Sequence, residues 1–410
     1  MRILFLSHCV PFPPDKGDKV RAFHQIRCLS QRHQIHLLAI AKTQEDLQYE
    51  SDLKEWCSQV ELFPLDKTMA RVRAGASLLT PARSFTHAYF WNPDLARRVV
   101  EIHQEAPPDV VFAYTAAMGP YAELGTGELG SCIDLVDIDS AKWKHYAETR
   151  SAPLKWIYGT EAQRLQRYEQ TISENFDAVF VTTDRERKSL QRQSPLSTPI
   201  VIRNGVDTEF FYTDKQERNS NPKIVFTGQM DYYPNEDAAL YFSREIFPAL
   251  RDRHAELSLD LVGRSPGQQV LDLGTEPGVT VTGEVPDIRP YLEAAWVFVA
   301  PLRIARGVQN KVLEAAAFEL PIVCSGEVFK GLVDGGFRDG EHLLVANGVT
   351  EFADAVSRLV DQPGLRASLG AKARQILSTN YSWNENMRQL ELGIEGRCNA
   401  QPVAAREARG

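Results

Sequence analysis

Short apolar runs alternate with amphipathic segments along most of the chain. The run at 297–302 is continuously apolar, as in a parallel strand covered on both faces, whereas 18–32 repeats apolar residues at helical spacing. Strands that alternate with helices predict a doubly wound parallel α/β sheet. Strands are predicted at 2–6, 35–40, 60–62, 110–113, 133–135, 178–182 and 200–202, and then at 224–227, 257–262, 279–282, 297–302, 322–324 and 343–345.

The two sets of strands divide the chain into two α/β halves that join near residue 205. The segment 201–207, VIRNGVD, holds an Asn-Gly pair that gives the backbone the freedom a hinge needs. We therefore predict one domain over 1–204, a second over 205–381, and a polar tail at 398–410. Helices are predicted at 18–32, 44–59, 154–175, 235–250, 308–319, 350–361, 364–379 and 383–395.

The segment 296–325, which reads as strand, loop, helix and strand, carries the strongest candidate site. In an open parallel sheet, ligands bind at the carboxyl ends of strands, against helix N-termini whose unpaired N–H groups attract anions. Arg303, Arg306 and Lys311 add positive charge there, and Glu314 one turn later offers a carboxylate to the hydroxyls of a ribose. We expect a nucleoside-diphosphate site. The alternative is a helix on which Lys311 and Glu314 form a surface ion pair worth about 0.3 kcal/mol.

Composition narrows the class of protein without identifying it. The 410 residues are 43% hydrophobic and 24% charged, which is ordinary for a globular protein. A net charge of −8 without a basic run argues against nucleic acid as a partner. The six cysteines show no CxxC spacing, so we expect a reduced, cytoplasmic protein. No segment has the roughly 18 successive apolar residues that a transmembrane helix needs.

Residues 66–91 interrupt the alternation of strands and helices. Basic residues are interleaved there with large apolar and aromatic ones, a pattern that suits a surface helix lying on an anionic membrane at the inner face of the plasma membrane. The alternative is a helix packed on the first domain with solvated arginines. The residues concerned are Lys67, Arg71, Arg73 and Arg83 with Val72, Leu78, Leu79, Phe85, Tyr89, Phe90 and Trp91.

Several short motifs, taken in order, resemble those of retaining glycosyltransferases of family 4. They are the opening strand–loop–Gly17–helix, VIRNGVD at 201–207, FTG at 226–228, VG at 262–263 and TGEV at 282–285. VDIDS at 136–140 with Trp143, and GVQNKVLEA at 307–315, are similar to sugar transferases associated with PEP-CTERM/exosortase exopolysaccharide systems.

The resemblance implies the GT-B fold, in which two Rossmann-like domains face each other across a cleft. It also implies a terminal helix, at 382–397, that crosses back to the first domain. The expected donor is a UDP- or GDP-type nucleotide sugar, and the expected acceptor is a growing glycan or a polyprenyl-linked molecule. No cofactor is implied.

The same resemblance assigns roles to individual residues. Glu314 would bind the ribose of the donor, and the backbone amides of Gly307 and Val308 would contact its pyrophosphate. Val285 would contact the nucleobase through its backbone, and Gly17 would let the first loop approach the donor closely. The remaining donor-binding candidates are Gly228, Gln229, Arg303, Gln309 and Asn310.

Two positions depart from the family pattern. Arg306 stands where the first glutamate of the E-x7-E motif is expected, and Gln229 stands where the usual arginine follows the first strand of the second domain. The arginine–lysine clamp on the phosphates is therefore missing. Because the departing diphosphate still needs positive charge, we predict that Arg306 and Lys311 supply it.

Candidates on the acceptor side are His8 at the end of the first strand and a polar cluster at 137–145. A histidine there can equally be structural, and Asp139 or Ser140 can be a helix N-cap. Asp137 and Asp139 also spell D-x-D, the metal-binding signature of the other glycosyltransferase fold. That fold leaves 205–395 unexplained, so we expect no metal. The cluster consists of Asp137, Asp139, Lys142 and His145.

Two other functions remain open on this fold. A sugar-nucleotide 2-epimerase would need paired acids and histidines around the sugar, which the sequence does not place. A non-catalytic carbohydrate-binding or assembly protein would explain the replacements at Arg306 and Gln229. Nucleotide binding separates the last of these from an enzyme.

Overall fold

The computed structural model describes residues 1–14, 17–80, 83–125, 130–213, 221–305 and 307–399. The chain divides into two compact units, Met1–Ile202 with Asn384–Gly410, and Arg203–Trp383. The sequence prediction places the corresponding divisions at 204/205 and 381/382.

The first unit is built on a parallel sheet in the order β3-β2-β1-β4-β5-β6-β7. Its strands are β1 (Arg2–Ser7), β2 (Gln34–Ala41), β3 (Gln59–Pro64), β4 (Val110–Tyr114), β5 (Gly130–Val136), β6 (Ala178–Val181) and β7 (Ile200–Val201). Its helices are α1 (Gly17–Leu29), α2 (Glu50–Leu53), α3 (Lys67–Ala76), α4 (Phe85–Phe90), α5 (Pro93–Glu105), α6 (Gly119–Ala122), α7 (Asp139–Glu148), α8 (Leu154–Asn175) and α9 (Asp184–Gln193).

The second unit is built on a parallel sheet in the order β10-β9-β8-β11-β12-β13. Its strands are β8 (Lys223–Thr227), β9 (Ser258–Val262), β10 (Val279–Gly283), β11 (Val297–Ala300), β12 (Ile322–Cys324) and β13 (Leu344–Val345). The helices that follow are α10 (Tyr233–Tyr241), α11 (Phe247–Arg253), α12 (Gln268–Asp272), α13 (Arg289–Ala294), α14 (Asn310–Ala317), α15 (Gly326–Phe329), α16 (Val349–Asp361), α17 (Pro363–Asn380) and α18 (Trp383–Asn399).

Helix α18 begins at the last residue of the second unit, and from Asn384 onward it belongs to the first. Its Glu391 carboxylate lies 3.1 Å from the ring of His33. A Cβ on Gly393 would lie 2.7 Å from the ring of Phe180 in β6, so the helix needs a glycine at that contact. This close packing ties the end of the chain to the first sheet.

The apolar runs form strands because both faces of each sheet are covered. Strand β4 is buried at every position, and Phe112 within it stacks on Phe5 of β1 at 5.0 Å. A buried ion pair lies in the same core, where Nε of Arg21 donates to Asp134 at 2.7 Å. Asp134 also accepts a 3.0 Å hydrogen bond from the backbone N–H of Val136.

One predicted helix, at 44–59, is wrong over most of its length. A 3-10 turn at Glu45–Tyr49 and the four-residue α2 occupy part of it, and β3 begins at Gln59. Asp46 explains the irregular start, because its carboxylate accepts hydrogen bonds from the backbone N–H groups of Lys42 and Thr43 and is held by Lys19 at 3.0 Å. Side-chain bonds of this kind compete with a regular helix.

Chain order reverses once in each sheet. The reversal lies between β1 and β4 in the first unit and between β8 and β11 in the second. At such a position the loops at the carboxyl ends of two neighbouring strands lead in opposite directions and leave a crevice for a ligand. Each unit therefore offers one place at which the sheet itself favours a binding site.

Candidate functional site

Two loops meet at the carboxyl edge of the second sheet, where its chain order reverses. One follows β8 and begins at Gly228, and the other follows β11 and leads to α14. Both were predicted as donor-binding segments, and the structure brings them side by side because β8 and β11 are hydrogen-bonded neighbours.

Close backbone contacts make glycine necessary along this edge. The N–H of Gly228 donates to Val262 O at 3.0 Å, and a Cβ on Gly263 would lie 1.6 Å from Gly228 O. The N–H of Gly263 donates in turn to Gly283 O at 3.3 Å. Val285 follows Gly283, is half-buried and packs on the core of the second unit. The ends of β8, β9 and β10 are thereby locked together.

Helix α14 is shorter than predicted. It covers Asn310–Ala317 rather than 308–319, and it ends where Glu319 has a positive φ of 53°. Its N-cap residue, Gln309, does not cap it with its own side chain. Gly307, in the loop before it, is buried with a φ of 57°, and its carbonyl oxygen would lie 2.0 Å from a Cβ on Gly331. Gly307 is thus packed closely on Gly331, just before a helix start whose N–H groups favour anions.

Lys311 points from α14 to the loop after β8. Its Nζ donates a 2.6 Å hydrogen bond to Oδ1 of Asn235 and lies 4.6 Å from the ring centroid of Phe226. A Cβ on Gly228 would lie 2.8 Å from the same Nζ. Burial lowers the pKa of Lys311 to about 7, although the nearby charge of Glu314 raises it. The amino group lies at the loop and is poorly solvated, and an anion bound beside it would favour its charged form.

Asn235, in the first turn of α10, links α14 to the loop after β8. Its side chain is buried, accepts from Lys311 and donates from Nδ2 to the backbone oxygen of Gln229 at 2.8 Å. Gln229 itself is exposed. The sequence gave no sign of the contact between Asn235 and Lys311.

Glu314 lies one helical turn beyond Lys311 and is half-buried. Burial raises the pKa of Glu314 to about 7, and the charge of Lys311 lowers it in part. Within the described ranges its carboxylate has no hydrogen-bond partner, so its oxygens can accept bonds from a ligand. Hydroxyl groups are suitable donors for it.

Of the other two basic residues in this segment, Arg303 and Arg306, the structure describes Arg303 only. Arg303 binds Asp237 of α10 through two hydrogen bonds, at 2.9 and 2.5 Å, and lies over the ring of Tyr241. Its charge is therefore matched by a carboxylate. Arg306 lies outside the described residues, and its predicted role stays a prediction. Asn310 accepts a 3.2 Å hydrogen bond from Nδ2 of Asn204, which positions the first residue of α14.

A second polar cluster lies at the carboxyl edge of the first sheet, around His8. The ring of His8 lies 3.6 Å from Asp18 and 3.3 Å, through Nδ1, from Oγ1 of Thr115. It stacks on Tyr114 at 5.6 Å. Burial lowers the pKa of His8, as does the charge of Lys42. The histidine is thus kept neutral beside a carboxylate.

Asp18 is held ionised by its neighbours. Burial by itself raises the pKa of Asp18, but the contacts with His8 and Lys42 lower it below its usual range. Nζ of Lys42 lies 3.5 Å from the carboxylate. Gly17, the predicted contact to a ligand, is exposed and begins α1 immediately before Asp18. The sequence analysis missed Asp18, for which adjacency to Gly17 was the one available signal, and it also missed Lys42.

The segment around Asp139 is organised differently from the prediction. Helix α7 begins at Asp139 with Ile138 as its N-cap residue, so the interpretation of Asp139 or Ser140 as the cap is wrong. Buried glutamates perform that function instead: Glu186 accepts from the N–H of Ile138 and Glu169 from that of Ser140, both at 2.9 Å. Burial raises the pKa of Glu169 to about 8.

Asp139 is half-buried, and Lys142 lies 3.4 Å from its carboxylate. His145, one turn further along α7, is also half-buried. In the described part of the chain, the groups of three side chains close enough to share a metal ion do not include Asp137 or Asp139. The groups found there are His8, Cys9 and Asp18, and His33, Glu391 and Glu395.

The part of the chain that carries the site around α14 matches a known protein family. Residues 221–362 match the family model described as "Glycosyl transferases group 1". The lipopolysaccharide core biosynthesis mannosyltransferase LpcC of Rhizobium leguminosarum bv. viciae is 23% identical over 251 residues, which cover 56% of this chain and 68% of that protein.

Solved structures resemble the whole chain. Sucrose-phosphate synthase from Thermosynechococcus elongatus superposes with a TM-score of 0.70 at 14% identity, covering 98% of this chain and 100% of that one. Anabaena HepE in complex with UDP-glucose does so with a TM-score of 0.69 at 15% identity, covering 97% and 100%. The two parallel-sheet units thus have the GT-B architecture, and together with the family match they support a glycosyltransferase.

The assignment to family 4, the retaining mechanism and the role in exopolysaccharide synthesis stay predictions. None of the described helices combines the length and the apolar character needed to cross a membrane.

Proposed function

We propose that this protein is a retaining glycosyltransferase of family 4 that transfers a hexosyl unit from a nucleoside-diphosphate sugar to a glycan or polyprenyl-linked acceptor. The observation that carries the proposal is the position of Lys311. Its ammonium lies against Gly228 at the place where the second sheet reverses its order. Glu314 follows on the same helix with its carboxylate available to a ligand.

The donor would bind at the start of α14. The N–H groups of Gly307 and Val308 and the N-terminus of the helix would face the pyrophosphate, and Lys311 would neutralise part of its charge. Glu314 would accept hydrogen bonds from the two ribose hydroxyls. Val285 would contact the base through its backbone. Because Arg303 is already paired with Asp237, it would orient the loop rather than bind the donor.

The reaction would break the bond between the anomeric carbon and the oxygen of the distal phosphate. Positive charge develops on the sugar ring and negative charge on the departing diphosphate, which Lys311 would stabilise, with Arg306 as a second cation. The acceptor hydroxyl would attack from the face that the diphosphate leaves. Its proton would pass to a phosphate oxygen, so that the configuration is retained and no protein nucleophile is needed.

His8 and Asp139 in the first unit would serve the acceptor. A neutral imidazole and a carboxylate suit hydrogen bonding to sugar hydroxyls. The relatives support this substrate class: LpcC is named for lipopolysaccharide core biosynthesis, and one neighbouring structure holds a glycan-like ligand, fondaparinux. We therefore place the protein in the biosynthesis of an exopolysaccharide or another cell-surface polysaccharide, on the cytoplasmic side.

Isothermal titration with UDP and with GDP tests the donor site first. Micromolar binding of one of them, weakened in Glu314→Ala, supports the proposal. Absence of binding to both would favour a non-catalytic carbohydrate-binding protein. Turnover of UDP-glucose or GDP-mannose with release of the diphosphate then identifies the base and sugar, and the anomeric configuration of the product, read by NMR, tests retention.

Metal independence is tested in the same assay. The charge on the diphosphate would be met by Lys311 and the helix terminus, so we expect turnover to be unchanged after dialysis against EDTA. Activity lost in EDTA and restored by Mg²⁺ or Mn²⁺ would contradict this part of the proposal.

A further inference from the structure

Exposed apolar side chains are concentrated in two short segments of the first unit. One consists of α3 with the turn that follows it at Ser77–Leu79, and the other is the start of α8. Leu79 is 88% exposed and Trp156 is 73% exposed. We define the α3–α8 surface by six exposed residues: Met69, Val72, Leu78, Leu79, Leu154 and Trp156.

Helix α8 contacts the turn after α3 directly. Nη1 of Arg164 donates to Ser77 O at 2.8 Å and to Arg83 O at 3.0 Å. The fully buried Glu161 accepts a 2.6 Å hydrogen bond from the N–H of Phe85. Trp156 precedes Arg164 on the same helix by about two turns, roughly 12 Å along the axis.

The sequence around this surface is basic, although the chain as a whole has a net charge of −8. Residues 67–93 and 149–160 contain no aspartate or glutamate. Two of the four acids that flank these ranges are used internally: Asp66 caps α3, and Glu161 binds the start of α4. The other two, Asp94 and Glu148, are exposed at the far ends of the ranges. The basic residues of the two segments are Lys67, Arg71, Arg73, Arg83, Arg150 and Lys155.

The structure divides residues 66–91 into an inward and an outward part. Trp91 stacks on Tyr121 at 4.9 Å, and Phe90 packs edge-on against His8. Arg73 donates to the backbone oxygen of Ala88. The aromatic residues therefore pack on the first unit, as the alternative to a membrane helix predicted. Met69, Val72, Leu78 and Leu79 point outward, which leaves α3 and the following turn as the exposed apolar part.

We propose that the α3–α8 surface docks on an anionic lipid membrane. Its apolar side chains would enter the boundary between headgroups and acyl chains, with Trp156 at the headgroup level, while the basic residues pair with lipid phosphates. A second copy of the chain is a poorer partner, because it would bring two identical basic rims together. This proposal is independent of the reaction at Lys311, and it concerns surface side chains that leave the donor site intact.

Co-sedimentation with vesicles tests it on the full chain. We expect binding to phosphatidylcholine vesicles that contain phosphatidylglycerol, little binding to phosphatidylcholine alone, and weaker binding as salt is raised. Leu79→Glu and Trp156→Glu should each abolish most of the binding. Arg71→Glu should weaken it roughly fivefold or more, since each basic residue near the surface contributes to the attraction.

Matched variants of equally exposed residues serve as controls. Leu196 is 95% exposed elsewhere on the first unit, so Leu196→Glu should bind vesicles as the wild type does, and so should Lys188→Glu. All variants should bind the same nucleotide with unchanged affinity, which separates this test from that of the proposed activity. No binding to anionic vesicles, equal loss in the controls, or a dimer in analytical ultracentrifugation that Leu79→Glu dissociates would each overturn the proposal.

Discussion

Nζ of Lys311 donates a 2.6 Å hydrogen bond to Oδ1 of Asn235, which joins α14, the helix after β11, to α10, the helix after β8. From the resemblance to family 4, a cation would be expected on the β8 side of this contact. Here the cation, Lys311, lies on the β11 side, and Asn235 accepts its hydrogen bond. Under the proposed function, Lys311 would supply the positive charge that the missing clamp does not.

Replacing Lys311 by Met tests whether Lys311 supplies this positive charge. We expect kcat to fall about 10²- to 10³-fold, as when a preorganised charge or hydrogen-bond donor is removed from the site of a departing anion. Steady-state turnover of the preferred nucleotide sugar measures it. The double variant Lys311→Met with Asn235→Lys should recover part of the loss, because it returns an ammonium group to the same place from α10.

Lys330→Met is the matched control for that experiment. Lys330 is exposed and paired with Glu327, so its loss should leave kcat within about twofold of the wild-type value. Turnover of Lys311→Met at the wild-type rate would show that the diphosphate leaves without help from this side chain.

Glu314→Gln should stabilise the ligand-free protein while it weakens nucleotide binding. The folded-state pKa of about 7 is raised above the ordinary value of about 4.3. The folded state therefore binds more protons than the unfolded state between these values, and stability falls as pH rises through this window. Gln has no such penalty, so the free energy of unfolding of the variant, relative to that of the wild type, should rise by roughly 1–2 kcal/mol from pH 5 to pH 8. This is less than the whole pKa shift corresponds to, because the side chain is half-buried.

Urea unfolding at the two pH values measures that gain, and calorimetry at pH 8 measures the loss of nucleotide affinity. We expect the affinity to fall about tenfold, since a charge-assisted hydrogen bond contributes roughly 1.5–3 kcal/mol. Equal pH dependence of stability in both proteins would mean that Glu314 ionises normally.

Gly228→Ala should weaken nucleotide binding without unfolding the chain. The added methyl group would lie 2.8 Å from Lys311 Nζ and 2.9 Å from Asn235 Nδ2, so the lysine side chain must move from the loop. Titration with the preferred nucleotide and far-UV circular dichroism measure the two effects. Gly364→Ala in the same unit is the control, because nothing lies within 4 Å of its added Cβ, and it should bind as the wild type does.

Arg21→Met should destabilise the first unit by about 3–5 kcal/mol. Both Arg21 and Asp134 are almost fully buried, and removal of one partner leaves the other charge uncompensated in the core. Chemical denaturation measures the loss. Adding Asp134→Leu should recover part of it, whereas Arg97→Met, at a 68% exposed side chain, should change stability by less than about 0.5 kcal/mol.

The sequence predicts the bounds of a helix or strand correctly where the signal for it lies within the element itself. The apolar run at 322–324 forms β12 with the predicted bounds, and α8 covers Leu154–Asn175 as predicted. The helix expected at 44–59 fails because Asp46 binds backbone N–H groups and Lys19, a residue 27 positions earlier. Helix propensity carries no information about such a distant partner.

By itself, the sequence determined the two α/β halves and the parallel sheets, and it marked the loop before α14 as a candidate anion-binding segment, because hydrophobic period, glycines and helix starts are encoded within a few residues of one another. The tertiary structure decided which side chains share a site. Lys311 and Asn235 are 76 positions apart, and His8 and Thr115 are 107 apart. They meet because strands distant in the chain are neighbours in the sheet, and that pairing depends on the packing of the whole unit.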